Sequence, residues 1–259
     1  MYLNNWFSMK RILVIMVFGL LTIVPIRAQE EAVRNRITCD VTMNGSSEVM
    51  YVLSYSLYNG LFHWDGFKDV AAGKETRLVY SMRGADVASV IMKENGEMVL
   101  TAVCNDYGEI TSMVLVGGAS VNCRYNSLHQ LVAWVFNDGD YEYTDTFEWD
   151  GYGDLVAINH PYSRDVFTYS YSPACYDGAE CGLYPFEPST PGYNLGIGRL
   201  FATGLLGVRP THELVGFIQD GGSMTFSYRY DGSSLVAINE YYYYDSYNNG
   251  NVMVELKWR

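Results

Sequence analysis

Phe147-Glu-Trp-Asp-Gly-Tyr-Gly-Asp-Leu-Val-Ala-Ile-Asn159 is the stretch that decides the fold, because the chain repeats it. Related copies are Tyr228-Arg-Tyr-Asp-Gly-Ser-Ser-Leu-Val-Ala-Ile-Asn239 and Cys123-Arg-Tyr-Asn-Ser-Leu-His-Gln-Leu-Val-Ala-Trp134. Each copy joins an alternating stretch to a turn that begins at Asp or Asn, and then to a second apolar stretch. Alternation with period two is typical of a strand, and Asp, Asn and Gly suit tight turns. Each copy therefore predicts one β-hairpin.

Hairpins of this size cannot bury an apolar face alone, so neighbouring copies have to pair side by side. Residues 50–259 leave room for about a dozen strands of ordinary length. An open sheet of that width has unpaired edges, and a long meander curls because strands twist. We therefore predict an all-β fold, an antiparallel meander of repeated hairpins that closes into an up-and-down barrel or a strongly curled single sheet.

One region, residues 172–212, interrupts the repeats and holds five of the seven prolines. Within it, residues 195–206 are apolar at spacings of three and four, which predicts a short helix weakened by its glycines. We expect this helix to plug or cap one end of the barrel. Cys175 and Cys181 lie close together in the same region, and an exported chain permits a disulfide between them. The alternative is that all five cysteines are small buried apolar side chains.

The N-terminus predicts export. Residues 1–28 combine basic Lys10 and Arg11, an apolar run and a small residue before the expected cleavage point, as secretory signals do. Residues 29–49 would then be a lead-in, and residues 50–259 a single barrel-like domain. No cysteine directly follows the cleavage point, so we expect no lipid anchor. The expected location is the periplasm, the cell surface or the medium.

Charge and composition exclude some partners. The net charge of −12 repels phosphate backbones, so nucleic acid is not expected as a partner. The 23 tyrosines suit a broad sheet with aromatic ladders. Arg124, Glu148 and Arg229 lie on the faces opposite the aromatic residues and would be costly in lipid if those faces point outward. We expect no membrane span, with a membrane barrel as the alternative, because alternation does not tell which face is outward.

The strand, Asp-turn and Leu-Val-x-Ile repeats, with the apolar segment at 194–206, the Pro210-Thr211 step and a closing strand near Trp258, resemble a family of exported proteins of unknown function. That family comes from Bacteroides-like bacteria and is described as having a porin-like fold. The resemblance covers roughly residues 50–259 and implies a barrel-like fold. Tyr228-Arg-Tyr-Asp231 also resembles the YD repeats of large bacterial surface proteins. Neither family supplies a catalytic motif.

Chemical motifs are sparse. The four histidines, His63, His129, His160 and His212, match no metal-ligand spacing, and we interpret them as solvated turn residues. Asn137-Asp-Gly-Asp140 is compatible with calcium, but a hairpin turn explains it better. No nucleophile elbow, zinc motif or phosphate loop occurs. We expect no catalytic residue, no metal site and no cofactor.

The tyrosine run near the C-terminus is the candidate binding surface. On a strand, alternate tyrosines share a face, and exposed aromatic rows stack on sugars or anchor proteins. We predict Tyr242, Tyr244 and Tyr247 as ligand-binding residues, with an aromatic ladder that stiffens the last hairpin as the alternative. The predicted function is a non-enzymatic binding module of the cell envelope, for a glycan or an envelope protein. The alternatives are a purely structural envelope protein and a glycan hydrolase.

Overall fold

The computed structural model describes residues 36–58, 61–84, 86–173, 200, 204–219, 221–232, 234–243 and 249–259. Sixteen β-strands lie within these residues, and they are bounded as follows: β1 Arg36–Met43, β2 Tyr51–Tyr58, β3 Leu61–Asp69, β4 Lys74–Arg83, β5 Asp86–Glu94, β6 Glu97–Cys104, β7 Ile110–Leu115, β8 Ser120–Tyr125, β9 Leu131–Asn137, β10 Glu142–Trp149, β11 Leu155–Asn159, β12 Arg164–Pro173, β13 His212–Gln219, β14 Gly222–Asp231, β15 Ser234–Tyr243 and β16 Asn249–Trp258.

Every strand pairs antiparallel with its neighbours in the chain, and β1 pairs with β16, so the meander is a closed barrel. This confirms the predicted fold class and selects closure over an open curled sheet. The strand number is sixteen rather than about a dozen. The compact unit begins at Arg36, before the boundary predicted at residue 50. The segment Arg36–Met43 has no obvious repeat motif, yet it supplies the strand that closes the ring.

Alternation along the strands sets the two faces of the barrel. In β10, Tyr143, Asp145 and Phe147 are buried, whereas Glu142 and Thr144 are exposed. The buried faces of successive strands form one apolar interior that includes Trp64 and Trp134. The outward faces carry charged residues such as Glu142 and Glu148, and the apolar faces point inward. Among the described residues, no helix is long and apolar enough to cross a membrane.

Aromatic side chains connect each hairpin to the one before it, and this repeated contact explains the repeat in the sequence. An aromatic side chain of one hairpin donates a hydrogen bond to the backbone carbonyl of the residue that begins, or nearly begins, the second strand of the preceding hairpin. The pairs are Tyr125 with Ile110, Trp149 with Leu131, Tyr169 with Leu155, Tyr228 with Leu214, and Trp258 with Leu235. Leu131, Leu155 and Leu235 are all buried in the core. They therefore occupy equivalent environments, as the hairpin interpretation requires.

A segment between β12 and β13 crosses one end of the barrel. Leu200, Leu205 and Leu206 are buried, and Leu205 accepts a hydrogen bond from the Ile110 N–H, 2.7 Å long. The predicted helix over 195–206 falls largely outside the described residues. Leu200 is helical, but residues 204–206 form a turn, so the helix does not reach Leu206. The described residues 204–211, which we call the crossing segment, lie against this end of the barrel, and the predicted helical cap stays a prediction.

Other predictions lie partly outside the described residues. The signal peptide at 1–28 and the pair Cys175 and Cys181 are not among them and stay predictions. Two of the described cysteines, Cys104 and Cys123, are buried, and burial raises the pKa of each thiol to about 12. Both therefore remain protonated thiols, as expected of small buried apolar side chains.

Candidate functional site

Three turns with the same hydrogen-bond pattern stand side by side at the end that the crossing segment covers. They are Asn105–Glu109 between β6 and β7, Asn126–Gln130 between β8 and β9, and Asp150–Asp154 between β10 and β11. We call them the turn row. In each turn the first residue donates its N–H to the fifth carbonyl at 2.9–3.0 Å, and the fourth N–H donates back to the first carbonyl. The meander brings the three turns to one end because they follow alternate strands.

The first side chain of each turn fixes its shape. The Oδ1 of Asn105, Asn126 or Asp150 accepts the N–H groups of the third and fifth residues at 2.9–3.0 Å. Asn and Asp are suited to this because their short side chains reach the backbone two residues on. The three turns are therefore preformed and nearly identical.

The third residue of each turn points into solvent and is large. Tyr107 is 69% exposed, Leu128 66% and Tyr152 75%. Successive turns at one end lie two strands apart, which is about 10 Å at the spacing of strands in a sheet. The turn row thus presents an aromatic, an aliphatic and an aromatic side chain at regular intervals.

The fifth residue of each turn is polar and buried, and it anchors the neighbouring structure. Glu109 contacts His129 of the next turn, with Oε1 and Nδ1 2.9 Å apart. Asp154 binds the end of the crossing segment, because its Oδ1 accepts the N–H groups of Thr211 and His212 at 2.8 and 2.9 Å. The His212 Nδ1 lies 2.7 Å from Asp154 Oδ2. Both carboxylates are therefore engaged within the turn row and its cap.

The two imidazoles support the exposed tyrosines. The Tyr107 ring meets the His129 ring edge-on, with centroids 4.4 Å apart. The Tyr152 ring meets His212 in a similar orientation at 6.4 Å. Each exposed ring thus rests against a histidine that a buried carboxylate holds, which limits the freedom of the ring before any ligand arrives.

The crossing segment locks onto the middle turn. Val208 donates its N–H to the His129 carbonyl at 2.8 Å, and Gly207 forms an isolated bridge with Gln130. A Cβ at Gly207 would lie 2.3 Å from the His129 carbonyl oxygen. Only glycine fits at this crossing, and the φ of +88° at this position also favours glycine.

The interpretation of the histidines as solvated turn residues was wrong for His160, whose side chain is buried, whereas His129 lies in a turn and its side chain is 40% exposed. His129 lies in the middle turn and His212 begins β13, and each pairs with a buried carboxylate. His160 is buried among Asp145 and Asp165, close to the opposite end of the barrel. Its Nε2 lies 3.2 Å from Asp165 Oδ2, and its Nδ1 lies 3.0 Å from Asp145 Oδ1. Glu109 and Asp154 lie 20 and 58 residues along the chain from their histidines, so sequence spacing did not reveal these two pairs.

The His160 cluster carries charge inside the barrel. The Nδ1 contact with Asp145 is an ion pair rather than an aligned hydrogen bond. Trp134 Nε1 donates to the other oxygen of Asp145 at 2.5 Å. Burial alone would lower the pKa of His160, but the two carboxylates outweigh it and raise that pKa to about 9. His160 is therefore a cation at neutral pH, and it ties β10 to β12.

The predicted tyrosine surface is arranged differently from the expectation of an exposed Tyr242. Tyr242 is half-buried on the inward side of β15, against Gly250 of β16. The exposed tyrosines of this strand are Tyr241 and Tyr243, at 48% and 45%. Tyr244 and Tyr247 lie outside the described residues. Ligand binding by Tyr242, Tyr244 and Tyr247 stays a prediction.

The acidic loop after β9 is a hairpin turn, as expected. Asn137 Oδ1 accepts the Gly139 N–H, and Asp138 Oδ1 accepts those of Asp140 and Tyr141. Within the part of the chain that the structure describes, no group of three or more His, Cys, Asp or Glu side chains is arranged to hold a metal ion.

The sequence predicted the three turns but not that their third residues form an exposed row at one end of the barrel. The signal was present, because positions 105–109, 126–130 and 150–154 share Asn or Asp first, a large apolar or aromatic residue third, and an acid or amide fifth. The repeat is strongest in the strand residues on either side of the turns. The exposure of the third residue became visible only when all three turns were placed at one end.

No protein-family model and no curated protein matches the chain. Among solved structures, the chain is similar to a porin-like protein from Bacteroides uniformis, with 13% identity, 87% of this chain and 96% of that one covered, and a TM-score of 0.60. A porin-like protein from Bacteroides vulgatus shares 11% identity over 84% of this chain and 83% of its own, with a TM-score of 0.26. The similarity to the Bacteroides uniformis protein shows that the chain has the porin-like barrel fold that the resemblance implied, whereas the similarity to YD repeats stays a prediction.

Proposed function

We propose that this protein is a non-enzymatic module of the bacterial envelope that binds a linear glycan through the turn row. The observation that carries the proposal is the regular presentation of Tyr107, Leu128 and Tyr152 from three turns with the same hydrogen-bond pattern. A surface that repeats one contact at a fixed interval suits a ligand that itself repeats. The interval of about 10 Å, set by the spacing of strands, is comparable with the length of a disaccharide.

The chemistry of the turn row supports a sugar ligand. Tyrosine rings offer a flat apolar face to the C–H groups of a pyranose and a hydroxyl to its polar rim. Each ring already contacts His129 or His212, which reduces the rotamer entropy that is lost on binding. Asp106, which precedes Tyr107 in its turn, is exposed beside Arg83 and adds a hydrogen-bond acceptor.

Binding without catalysis is supported by the state of the carboxylates. Glycoside hydrolysis needs an acid and a base or nucleophile that face the substrate. Glu109 and Asp154, the buried carboxylates of the turn row, are occupied by His129, His212 and backbone N–H groups. Neither is left to attack or protonate a substrate.

An aqueous site in the envelope is supported by the sequence and by the faces of the barrel. Residues 1–28 predict export. The outward strand faces carry residues such as Arg124, Glu148 and Arg164. Such side chains cost free energy on a lipid-facing surface, most of all near the bilayer midplane. We infer that the barrel works in water, at the cell surface or in the periplasm.

The test is binding of envelope polysaccharides and of their short oligosaccharides to the chain from residue 29 onward, measured by glycan array and calorimetry. We expect affinity to rise with glycan length until the ligand spans two turns. Replacing both aromatic anchors, Tyr107→Ala with Tyr152→Ala, should weaken binding about tenfold or more.

The matched control is Tyr141→Ala with Tyr162→Ala, which removes two exposed tyrosines from the opposite end of the barrel. This control should bind as the wild type does. Equal affinity of the wild type and the Tyr107/Tyr152 variant would refute the site. Capture of an envelope protein, lost in the same variant and without any glycan binding, would replace the glycan by a protein ligand.

A further inference from the structure

The end of the barrel opposite the turn row exposes one large apolar side chain at each of five successive connections. These connections join β3 to β4, β5 to β6, β7 to β8, β9 to β10 and β11 to β12. The exposed side chains in or beside them are Val70 at 43%, Met98 at 50%, Val116 at 65%, Tyr141 at 51% and Tyr162 at 92%. Successive connections lie two strands apart, or about 10 Å. This end therefore offers apolar contacts at a regular interval.

The three middle connections of this end also carry unpaired acids. Residues 94–98, 116–119 and 137–142, which we call the acidic rim, contain no Lys or Arg. Their acids are Glu94, Glu97, Asp138, Asp140 and Glu142, and all five are exposed. Among the described residues, none of these acids forms an ion pair. The acidic rim is therefore a local concentration of negative charge around apolar side chains.

The charge of the acidic rim excludes several kinds of partner. The strands from β5 to β10 hold only two cationic residues, Lys93 and Arg124, and Arg124 lies beside the middle turn of the turn row. Along these strands only Lys93 therefore stands near the acidic rim. A second copy of this acidic chain is repelled, and so is a membrane surface of anionic lipid. A partner with positive charge is attracted instead.

The apolar side chains fit a partner of regular shape. Val116 stands at the centre of the acidic rim, and Gly117 and Gly118, which follow it, do not shield it, because neither has a side chain. Met98 and Tyr141 flank Val116 at about 10 Å on either side, from the strand spacing. An α-helix advances about 10.5 Å in seven residues. Helix residues seven apart on one face would therefore lie over successive apolar side chains of the rim.

We propose that the acidic rim docks a basic amphipathic helix of a partner protein. Apolar side chains on one face of the helix contact Met98, Val116 and Tyr141, and Lys or Arg residues beside them pair with the five acids. Tyrosine and methionine are enriched in protein interfaces. A helix of about 15 residues is long enough to cover the three apolar side chains. This surface is separate from the turn row, so the proposal does not rest on glycan binding.

The test is binding of a labelled synthetic helix of about 18 residues, with leucine on one face and lysine on the other, to the chain from residue 29 onward. Fluorescence anisotropy measures it at low and high salt. We expect affinity in the micromolar range that falls with salt, because screening reduces the attraction. The same helix with glutamate in place of lysine, or with serine in place of leucine, should bind at least about tenfold more weakly.

The charged part of the rim is tested by Glu97→Gln with Asp140→Asn. We expect about fivefold weaker binding of the lysine–leucine helix and a smaller salt dependence. The matched control is Asp86→Asn with Asp231→Asn, which removes the same charge from exposed sites at the turn-row end. This control should bind the helix as the wild type does. An equal loss in the control would mean that only the net charge of the chain matters and would overturn the proposal.

The apolar part is tested by Met98→Ser with Val116→Ser, which should weaken binding about tenfold and leave the salt dependence in place. Met253→Ser is the control at an exposed apolar site elsewhere and should bind as the wild type does. Circular dichroism and thermal unfolding verify that each variant folds. No binding of the lysine–leucine helix, or binding indifferent to either pair of substitutions, would refute the docking site. Binding to lipid vesicles without any binding of the helix would replace the protein partner by a membrane surface.

Discussion

Gly207 shows how one residue ties the crossing segment to the turn row. Its φ is +88°, and its Cα approaches the middle turn so closely that a Cβ would meet both the His129 carbonyl and the Tyr125 ring. Tyr125 in turn donates its hydroxyl proton to the Ile110 carbonyl at 2.7 Å. A change at this point therefore reaches two hairpins at once.

We expect Gly207→Ala to lower the free energy of unfolding by about 3 kcal/mol, from backbone strain and steric overlap together. Gly221→Ala is the matched control, because Gly221 has a φ of +82° but nothing within 4 Å of its Cβ position. The control should lose only about 1 kcal/mol. Urea unfolding of both variants measures the difference, and equal losses would mean that the close approach does not matter.

Hairpins are the elements that the sequence revealed best. Period-two alternation and Asp or Asn turns are local signals, so residues 123–134, 147–159 and 228–239 could be placed on paired strands from sequence alone. The side of the sheet that faces the core is a global property. For that reason the exposed member of the tyrosine run and the partners of the histidines could not be foreseen. His160, which links β10 to β12, became interpretable only when both strands were in place.

Stability should depend on pH through His160. Its pKa is about 9 in the folded protein against an ordinary value of 6.5. Because the pKa of His160 is raised on folding, protonated His160 stabilises the fold fully below about pH 6.5. This stabilisation is lost as the pH rises through about 9. The full contribution is at most roughly 3 kcal/mol. Urea unfolding at several pH values should show this loss in the wild type and a much smaller one in His160→Gln. Parallel pH profiles of the two proteins would contradict the assignment.

At the scale of the whole molecule, closure is the feature that the sequence only suggested. The repeats predicted a wide meander, and the free-energy cost of unpaired edges favoured its closure into a barrel. The strand that completes the ring, β1, lies in the stretch predicted as a lead-in, because Arg36–Met43 lacks the turn motif of the other hairpins. It pairs with both β2 and β16.

This assignment predicts that a chain beginning at residue 45 fails where a chain beginning at residue 29 folds. Without β1, the edges of β2 and β16 are left unpaired and open to other chains. We expect the shorter chain to aggregate and to lose its cooperative thermal transition, whereas the longer one unfolds in a single step. Size-exclusion chromatography and calorimetry compare the two. A monomeric, cooperatively folded shorter chain would show that the barrel does not need its first strand.

The seam between β1 and β16 also dictates an order in time. Met253 donates its N–H to Asn44 Oδ1 across 209 residues of sequence, and contacts this distant form late, since the loop between them must first be organised. A chain that emerges N-terminus first holds an unsatisfied strand until its last residues arrive. We therefore expect the two ends to join last in folding, so a delay at the C-terminus prolongs the period in which a chaperone or a neighbouring chain can bind the open sheet.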